Sequence, residues 1–329
     1  MYATTLSGFG DVNVMQWAYQ TDPTAGHGEV VIDIAAAGVN RADLAQRQGN
    51  YPPPRGASDI LGLECSGTIS EVGGGVTDWA VGDEVCALLS GGGYAERVAV
   101  PASQVLPVPE GVDIYTAAAL PEAACTVWSN LGIIAQLRAD ETVLLHGGGS
   151  GIGTHAIQLA KAIGARVAVT AGSASKLEAC EALGADILIN YSDTDFVDRL
   201  KEATDGVGAH VILDIIGGPY LPRNIAALAP DGRLIVVGLQ GGSSSEIDLL
   251  TLMAKRASLH VTGLRSRPDS GANSKQAVVQ QVREHAWPLI ARGAIRPVVD
   301  TILPVDQAAK AHQILAANAA TGKVLLRIN

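Results

Sequence analysis

One segment limits what this chain can fold into more than any other. Residues 142–164 read TVLLHGGGSGIGTHAIQLAKAIG, a short apolar run followed by a glycine cluster and then apolar residues at helical spacing. The run 142–145 has no helical period and predicts a strand buried on both faces of a parallel sheet. Gly164 predicts the end of the following helix. A strand, a glycine turn and a helix in this order leave backbone N–H groups unpaired at a helix N-terminus, where a phosphate can bind.

The glycine turn predicts a dinucleotide-binding site. Glycine allows positive φ and lets a pyrophosphate approach the main chain without a Cβ in the way. An ordinary tight turn between a strand and a helix is the alternative. Two other motifs with similar spacing fail, because a P-loop would need Lys where Thr154 stands and a nucleophile elbow would need Gly where Ile152 stands.

The rest of the chain predicts two domains. A length of 329 residues suits two domains, and strands alternate with helices from about residue 121. Six strands in this alternation predict an α/β, doubly wound parallel sheet over residues 121–294. Residues 1–120 contain short strands and glycine turns, which predict a mainly β, barrel-like domain. Residues 295–329 are too few for a domain and are expected to complete the first one.

Composition argues against several classes of protein. The net charge of −10 argues against a nucleic-acid-binding surface, which needs a basic patch. No apolar run approaches the ~20 residues of a membrane span, and residues 1–12 lack the pattern of a signal peptide. The four cysteines form no C-x-x-C pair and read as reduced thiols. We therefore expect a cytoplasmic protein with neither nucleic acid nor membrane as partner.

The residues after the second strand of the predicted sheet discriminate between the nicotinamide cofactors. NAD-binding proteins place Asp or Glu there, about 20 residues past the glycines, to bond the ribose 2′-OH. Residues 166–176 read RVAVTAGSASK and contain no carboxylate. Ser173 can donate a hydrogen bond and Lys176 brings a positive charge, which favours the 2′-phosphate of NADPH. Alternatively, Ser173 caps the next helix, Lys176 is solvated and Tyr191, after the third strand, is a surface aromatic.

Several stretches together resemble the medium-chain dehydrogenase/reductase superfamily, in its zeta-crystallin-like quinone oxidoreductase branch. They run over nearly the whole chain and include GVNRADLAQRQGNYPPP at 38–54, LGLECSG at 61–67, HGGGSGIGTHAIQLAK at 146–161 and LRSR at 264–267. The resemblance implies a Rossmann domain and a GroES-like, mainly β catalytic domain, with NADPH in the cleft between them. It also implies a homodimer or homotetramer, and strand 259–264 is expected at the sheet edge where pairing would form it.

The resemblance bears on metal binding too. The zinc alcohol dehydrogenases of the superfamily carry Cys and His ligands where this chain has Asn40 and Leu63, and neither residue is a plausible zinc ligand. The four-cysteine zinc lobe expected near residues 90–110 is absent from the sequence. We therefore expect no metal. Without zinc to polarise an alcohol, hydride transfer to an already electrophilic acceptor is favoured.

The resemblance implies roles for individual residues. The pyrophosphate is assigned to Gly149, Ser150, Gly151, Ile152 and Gly153. The 2′-phosphate end is assigned to Gly172, Ser173, Lys176 and Tyr191. The nicotinamide is assigned to Thr126, Val237, Gly238, Leu239, Leu264, Arg265 and Ser266. Lys323 is expected to reach a phosphate from the C-terminal segment.

The catalytic candidates are Asn40 and Tyr51, which the resemblance places beside the acceptor. Either side chain can hydrogen-bond the oxyanion that develops as a quinone is reduced. A turn residue and a packing residue are the respective alternatives. The predicted activity is hydride transfer from NADPH to a quinone or related electrophilic acceptor. Two other functions stay open: reduction of an enoyl thioester or enone, and a non-catalytic role as an NADPH-binding structural or sensor protein.

Overall fold

The computed structural model describes all 329 residues, which form two compact units. The first unit contains Met1–Cys125, Leu264–Gly293 and Pro297–Asn329. The second unit contains Thr126–Gly263 and Ala294–Arg296. None of the helices is both long and apolar enough to cross a membrane.

The first unit is mainly β. Its strands are β1 (Tyr2–Leu6), β2 (Met15–Tyr19), β3 (Glu29–Val39), β4 (Glu64–Val72), β5 (Glu84–Leu88), β6 (Arg97–Pro101), β7 (Val105–Pro107), β14 (Val299–Pro304) and β15 (Lys323–Arg327). Its helices are α1 (Arg41–Arg47), α2 (Ile114–Ala117), α3 (Pro121–Val127, which runs into the second unit), α9 (Lys275–Gln281), α10 (Trp287–Ala291) and α11 (Ala308–Ala316). β1 and β2 form a separate hairpin-like pair.

The long strand β3 organises the sheet of the first unit. Its sequence, EVVIDIAAAGV, is β-branched in its first half and rich in small residues in its second, which suits a central strand. The strand order is β14-β15-β3-β4-β5-β7, and β6 also pairs with β3. β15 pairs with β3 from the far end of the sequence, so the segment from Pro297 packs in the first unit.

The second unit is a six-stranded sheet with every described pairing parallel. Its strands are β8 (Thr142–His146), β9 (Arg166–Ala171), β10 (Ile187–Asn190), β11 (Ala209–Asp214), β12 (Leu228–Val236) and β13 (Ser258–Val261). Its helices are α4 (Gly151–Ile163), α5 (Ala174–Ala182), α6 (Phe196–Ala203), α7 (Leu221–Ala227) and α8 (Leu249–Lys255). The order β10-β9-β8-β11-β12-β13 is the doubly wound order of dinucleotide-binding folds, so the predicted fold class is confirmed.

The core of the second unit explains why these segments adopt this fold. All five residues of β8 are buried, as expected of a strand covered on both faces. Phe196 and Leu200 of α6 pack with Leu144 and Ile212 of the sheet in one apolar cluster. Burial of such side chains is the main favourable term in folding, about 1.5–3 kcal/mol for each large one.

Residues 264–293 lie in a different unit from the one that the sequence indicated. Their helical pattern suggested that they continue the dinucleotide-binding domain, but they pack with the first unit. The Lys275 ammonium bonds the Ser90 hydroxyl at 2.9 Å, and the Trp287 indole donates to the Pro107 carbonyl at 2.9 Å. These long-range side-chain contacts, which local periodicity does not report, determine where the segment packs.

Candidate functional site

The glycine turn after β8 is closed by the side chain of Ser150. Its hydroxyl donates to the Gly147 carbonyl at 2.7 Å and accepts from the Gly153 amide at 3.0 Å, which caps α4. Gly153 itself packs so closely on the turn that a Cβ there would clash with the Gly147 and Gly148 carbonyls. The amides of Gly151 and Ile152 lie in the first turn of α4, where a helix has no internal acceptor to offer them.

The predicted 2′-phosphate residues lie at the carboxyl ends of β9 and β10. A Cβ on Gly149 would lie 3.2 Å from the Lys176 side chain, so the lysine stem passes over the glycine turn. The Tyr191 hydroxyl lies so close to Gly172 that a Cβ there would displace it. Tyr191 is half exposed. The structure thus brings Lys176 next to the glycine turn and Tyr191 next to the end of β9.

Ser173 caps helix α5. Its hydroxyl accepts from the Lys176 amide at 3.4 Å and lies 3.2 Å from the Ser175 hydroxyl. The capping role that the sequence offered as an alternative is therefore present. In this capping position the Ser173 hydroxyl and the first turn of α5 lie next to the end of β9. Both are compatible with an anionic group there.

A buried hydrogen-bond network begins at His146, the residue directly before the glycine turn. His146 Nδ1 lies 3.0 Å from the Thr170 hydroxyl, and His146 Nε2 lies 2.7 Å from Asn224 Oδ1. Asn224 Nδ2 donates to Asp214 at 3.0 Å. Burial lowers the pKa of His146 to about 4, so its imidazole is neutral at pH 7. The carbonyl of Asp214 accepts from the Val237 amide at 2.8 Å, so the hydrogen-bond network reaches the segment predicted to contact the nicotinamide.

Two members of this hydrogen-bond network, Asn224 and Asp214, were not among the residues predicted from the sequence. Asn224 and Asp214 are fully buried, and burial raises the pKa of Asp214 to about 6. Asp214 ends β11 and caps the next turn by accepting from the Ile216 and Gly217 amides at 2.7 and 3.1 Å. An acidic residue directly after the apolar run VIL was the signal that could have revealed it.

The residues predicted around the nicotinamide are divided between the two units. Thr126, Val237, Gly238 and Leu239 belong to the second unit, and Leu264, Arg265 and Ser266 belong to the first. The Thr126 carbonyl accepts from the Asn130 amide group at 2.7 Å. A Cβ on Gly238 would lie 2.7 Å from the Ile215 carbonyl, so the backbone at 238 needs glycine.

Asn40 lies in a buried polar cluster of the first unit. Its backbone amide donates to Asp43 at 2.7 Å, and its side-chain Nδ2 donates to Glu64 Oε1 at 2.9 Å. The Lys323 ammonium donates to Asn40 Oδ1 at 2.7 Å and forms an ion pair with Glu64. The structure therefore engages Lys323, for which a cofactor phosphate was expected, with Glu64 and Asn40. Glu64, an acidic residue at the first position of a strand and directly after the apolar Leu63, was a signal that the sequence offered.

Asp43 connects Asn40 to a second group of buried side chains. Its carboxylate accepts from the Gly62 amide at 3.0 Å and from the Tyr94 hydroxyl at 3.2 Å, and burial raises its pKa to about 6. The Tyr94 hydroxyl lies 3.3 Å from His312 Nε2. Burial lowers the pKa of His312 to about 3, so this imidazole is neutral. Asp43 thereby fixes the backbone of Asn40 at the start of α1.

Tyr51, the other catalytic candidate, lies beside Arg265. The guanidinium is 5.4 Å from the ring centroid and donates to the Tyr51 carbonyl at 3.4 Å. Arg265 also donates to the Ser90 carbonyl at 2.9 Å and to Gln46 Oε1 at 2.7 Å. Burial raises the pKa of Tyr51, so its hydroxyl keeps its proton and can donate a hydrogen bond. Arg265 thus ties the Tyr51 loop to the rest of the first unit.

Comparison with known proteins identifies the family. The family model of the alcohol dehydrogenase GroES-like domain matches residues 26–110, and that of the zinc-binding dehydrogenases matches residues 151–282. Quinone oxidoreductase 1 of Escherichia coli is 32% identical over 321 residues, with 96% of each chain covered. The chain belongs to the medium-chain dehydrogenase/reductase superfamily, in its quinone oxidoreductase branch. The GroES-like and Rossmann parts of this superfamily are therefore both present.

Other members of the superfamily are similar over the whole chain. The crystal structure of E. coli quinone oxidoreductase complexed with NADPH has a TM-score of 0.88 at 30% identity, with both chains fully covered. The structure of CurK enoyl reductase has a TM-score of 0.86 at 27% identity, covering 100% of this chain and 99% of that one. A polyketide synthase subunit of Mycobacterium tuberculosis is 32% identical over 91% of this chain, which spans only 14% of the synthase.

A histidine in α4 leads to a prediction about stability. Replacing His155 with leucine is expected to stabilise the protein at pH 7 by about 1 kcal/mol, because the buried Nε2 atom has no hydrogen-bond partner. Burial lowers the pKa of His155 from 6.5 to about 4, so acid protonates the unfolded chain first. The contribution of His155 to the free energy of unfolding is therefore at its full value above pH 6.5 and falls as the pH is lowered from 6.5 towards 4. Between pH 7 and pH 5, the free energy of unfolding of the variant should fall by about 2 kcal/mol less than that of wild type.

Urea unfolding at pH 7 and pH 5 measures this difference. Replacing the exposed His27 with leucine is the control, since it removes an imidazole that lies at the surface rather than a buried one. Equal pH dependence of wild type and His155→Leu would contradict the prediction.

Proposed function

We propose that this chain is an NADPH-dependent, zinc-independent oxidoreductase that transfers a hydride to a quinone. The observation that carries the choice of cofactor is the end of β9, where no carboxylate follows the strand and Lys176 lies over Gly149. A carboxylate there would repel a 2′-phosphate, whereas a lysine attracts it. The NADPH complex of the similar E. coli enzyme supports the same choice.

The cofactor is assigned to three groups of residues. Gly149, Ser150, Gly151, Ile152 and Gly153 bind the pyrophosphate through the turn and the first amides of α4. Gly172, Ser173, Lys176 and Tyr191 bind the 2′-phosphate end. Thr126, Val237, Gly238, Leu239, Leu264, Arg265 and Ser266 contact the nicotinamide.

Zinc does not fit the residues of the first unit. No three His, Cys, Asp or Glu side chains are grouped as metal ligands. Asn40 Oδ1, the side-chain amide oxygen, accepts from the Lys323 ammonium, whose positive charge would oppose a cation at the same atom. Leu63 is buried and offers no ligand atom. We therefore assign the chemistry to the side chains and the nicotinamide cofactor.

The residues of the first unit supply hydrogen bonds to the acceptor. Bound NADPH supplies the hydride. Transfer of a hydride to a quinone gives a hydroquinone monoanion, and a proton from solvent completes the hydroquinone. In our proposal Asn40 Nδ2 and the Tyr51 hydroxyl donate to the oxygen that becomes negative, and Arg265 holds the Tyr51 loop beside it.

Reduction of an activated C=C bond is the second candidate, and the similarity to CurK enoyl reductase favours it. Enoyl thioesters and quinones are both conjugated carbonyl compounds, and both develop negative charge on oxygen as hydride arrives. Turnover of a naphthoquinone and of an enoyl-CoA, each with NADPH under the same conditions, separates the two. A preference of kcat/KM for the quinone supports the proposed function, and the reverse preference supports the second.

A non-catalytic NADPH-binding role makes a different prediction. It requires tight binding of NADPH without oxidation of the cofactor in the presence of either acceptor. The proton-bearing Tyr51 hydroxyl and the fixed Asn40 amide favour catalysis over this role. Absorbance of NADPH at saturating acceptor, followed beside calorimetric binding, decides between them.

The compartment and the partners are also inferred. All four cysteines are free and buried, which suits the reducing cytoplasm. The acidic net charge of −10 favours a small-molecule partner over nucleic acid.

We further infer that the chain forms a dimer through β13. This strand is an unpaired edge of its sheet, and Val261 on it is 69% exposed. Leu249, Leu250 and Met253 of α8 are also exposed. An unpaired strand edge beside exposed apolar side chains invites pairing with a second copy. Replacing Val261 with lysine is expected to convert the dimer to a monomer, because it places a charge within the new pairing.

Sedimentation velocity at micromolar concentration measures the outcome. Val81, which is 65% exposed in the first unit, is the matched position for a control, and Val81→Lys is expected to remain dimeric. A monomeric wild type, or an unchanged dimer in Val261→Lys, would show that β13 is not the interface.

A further inference from the structure

The side-chain amide of Asn40 is held from both of its ends. Its oxygen accepts from the Lys323 ammonium at 2.7 Å, and its nitrogen donates to Glu64 Oε1 at 2.9 Å. An ammonium group only donates hydrogen bonds and a carboxylate only accepts them. The two partners therefore allow one orientation of the amide, since the flipped amide would oppose donor to donor and acceptor to acceptor.

The two partners are themselves fixed before any ligand binds. Lys323 and Glu64 form an ion pair in which the Glu64 side chain is fully buried and the Lys323 side chain is only 6% exposed. The second carboxylate oxygen of Glu64 accepts from the Glu122 amide at 2.9 Å. Gly38 makes room for this carboxylate, because a Cβ there would clash with it.

One N–H of the Asn40 amide remains for another acceptor. The amide nitrogen has two protons, and Glu64 takes one of them. The other has only a long 3.5 Å contact with the Gly38 carbonyl. Asp43 holds the backbone of the same residue through its amide at 2.7 Å, so both the main chain and the side chain of Asn40 are oriented.

We propose that Lys323 and Glu64 are positioning residues. They hold the side-chain amide of Asn40 in one orientation, so that its remaining N–H donates to the acceptor oxygen. This proposal rests on the proposed function and applies to a quinone or an enoyl thioester alike, because both develop an oxyanion. It gives Lys323 a different role from the phosphate contact that the resemblance implied. A preorganised donor matters most where charge develops, since it needs no reorientation as hydride is transferred.

The test compares turnover with cofactor binding in Lys323→Met. We expect kcat to fall about tenfold with the better acceptor, since the Asn40 amide loses the partner that orients it. The Kd of NADPH, measured by calorimetry, should change less than about twofold, because the proposal engages the Lys323 ammonium with Asn40 and Glu64 instead of a phosphate. Lys323→Arg keeps the donor charge and should recover part of kcat.

A double-mutant cycle separates positioning from general stability. Asn40→Ala alone should lower kcat at least about tenfold, and Lys323→Met should lower it little further in that background, because both changes remove one interaction. If Lys323→Met fails to fold with an unpaired buried carboxylate, Lys323→Met/Glu64→Gln removes both charges together and is expected to show the same fall in kcat. Lys161→Met, which breaks the half-exposed pair with Asp186, is the control and should leave kcat unchanged.

The outcomes distinguish this proposal from the proposed function. A fall in kcat at unchanged Kd, non-additive with Asn40→Ala, supports it. An unchanged kcat with a Kd for NADPH raised tenfold or more would assign Lys323 to a phosphate and overturn it. Full additivity with Asn40→Ala would also overturn it. Wild-type protein that reduces neither acceptor would overturn both proposals.

Discussion

Replacing Gly153 with alanine is expected to weaken the binding of NADPH and of NADH alike, by about a thousandfold. A Cβ at this position would clash with the carbonyl oxygens of Gly147 and Gly148, which are backbone atoms and cannot rotate away. The turn must open to relieve the clash, and overpacking of this kind costs about 1–3 kcal/mol or more. Opening also breaks the bond from the Gly153 amide to the Ser150 hydroxyl, which caps α4. The two losses together correspond to about 4 kcal/mol, or three powers of ten in Kd.

Calorimetric titration with each cofactor measures the effect. The ratio of the two Kd values should stay as in wild type, since the turn contacts the pyrophosphate that both cofactors share. Gly8→Ala is the control, because a Cβ there has no atom within 4 Å and both Kd values should be unchanged. Wild-type affinity for either cofactor in Gly153→Ala would show that the pyrophosphate binds elsewhere.

Replacing Lys176 with alanine is expected to weaken NADPH about a hundredfold and NADH by less than about threefold. The lysine stem lies over Gly149, and the neighbouring end of β9 carries no carboxylate that would bond a ribose hydroxyl. A hydrogen bond to a charged group contributes about 1.5–3 kcal/mol. In our proposal Lys176 bonds the 2′-phosphate, which NADPH carries and NADH lacks. The effect should shrink at high salt, because the site lies near the surface.

The same calorimetry, with both cofactors, tests this prediction. Lys201→Ala removes an exposed lysine of α6 in the same unit and should leave the ratio of the two Kd values unchanged. An equal loss of affinity for NADPH and NADH in Lys176→Ala would refute the assignment of the 2′-phosphate to this residue.

Much of the second unit could be predicted because its signals are local. The apolar run 142–145 predicted a strand, and it forms β8 with every residue buried. Ser150 and Gly164 lie at the two ends of α4, as a capping residue and a left-handed C-cap with φ 94°. Each signal depends on residues within one helical turn or one strand, so the sequence alone contains it.

The roles of Asn40 and Lys323 could not be predicted in the same way. Sequence resemblance suggested Asn40 as a contact of the acceptor, but not the ion pair that orients its amide. Lys323 is 259 positions from Glu64 and 283 positions from Asn40 along the chain. A lone lysine at the start of a strand has no local feature that identifies its partner.

The sequence by itself determined the alternation of strands and helices, the glycine turn, the C-terminal end of α4 and the missing carboxylate after β9, because each depends on near neighbours along the chain. Only the tertiary structure decided that residues 264–293 pack with the first unit, and that Glu64, Lys323 and Asn40 meet. The physical reason is that burying a charge is costly unless it is paired. The fold can bring that partner from any distance along the chain, so the local sequence does not reveal it.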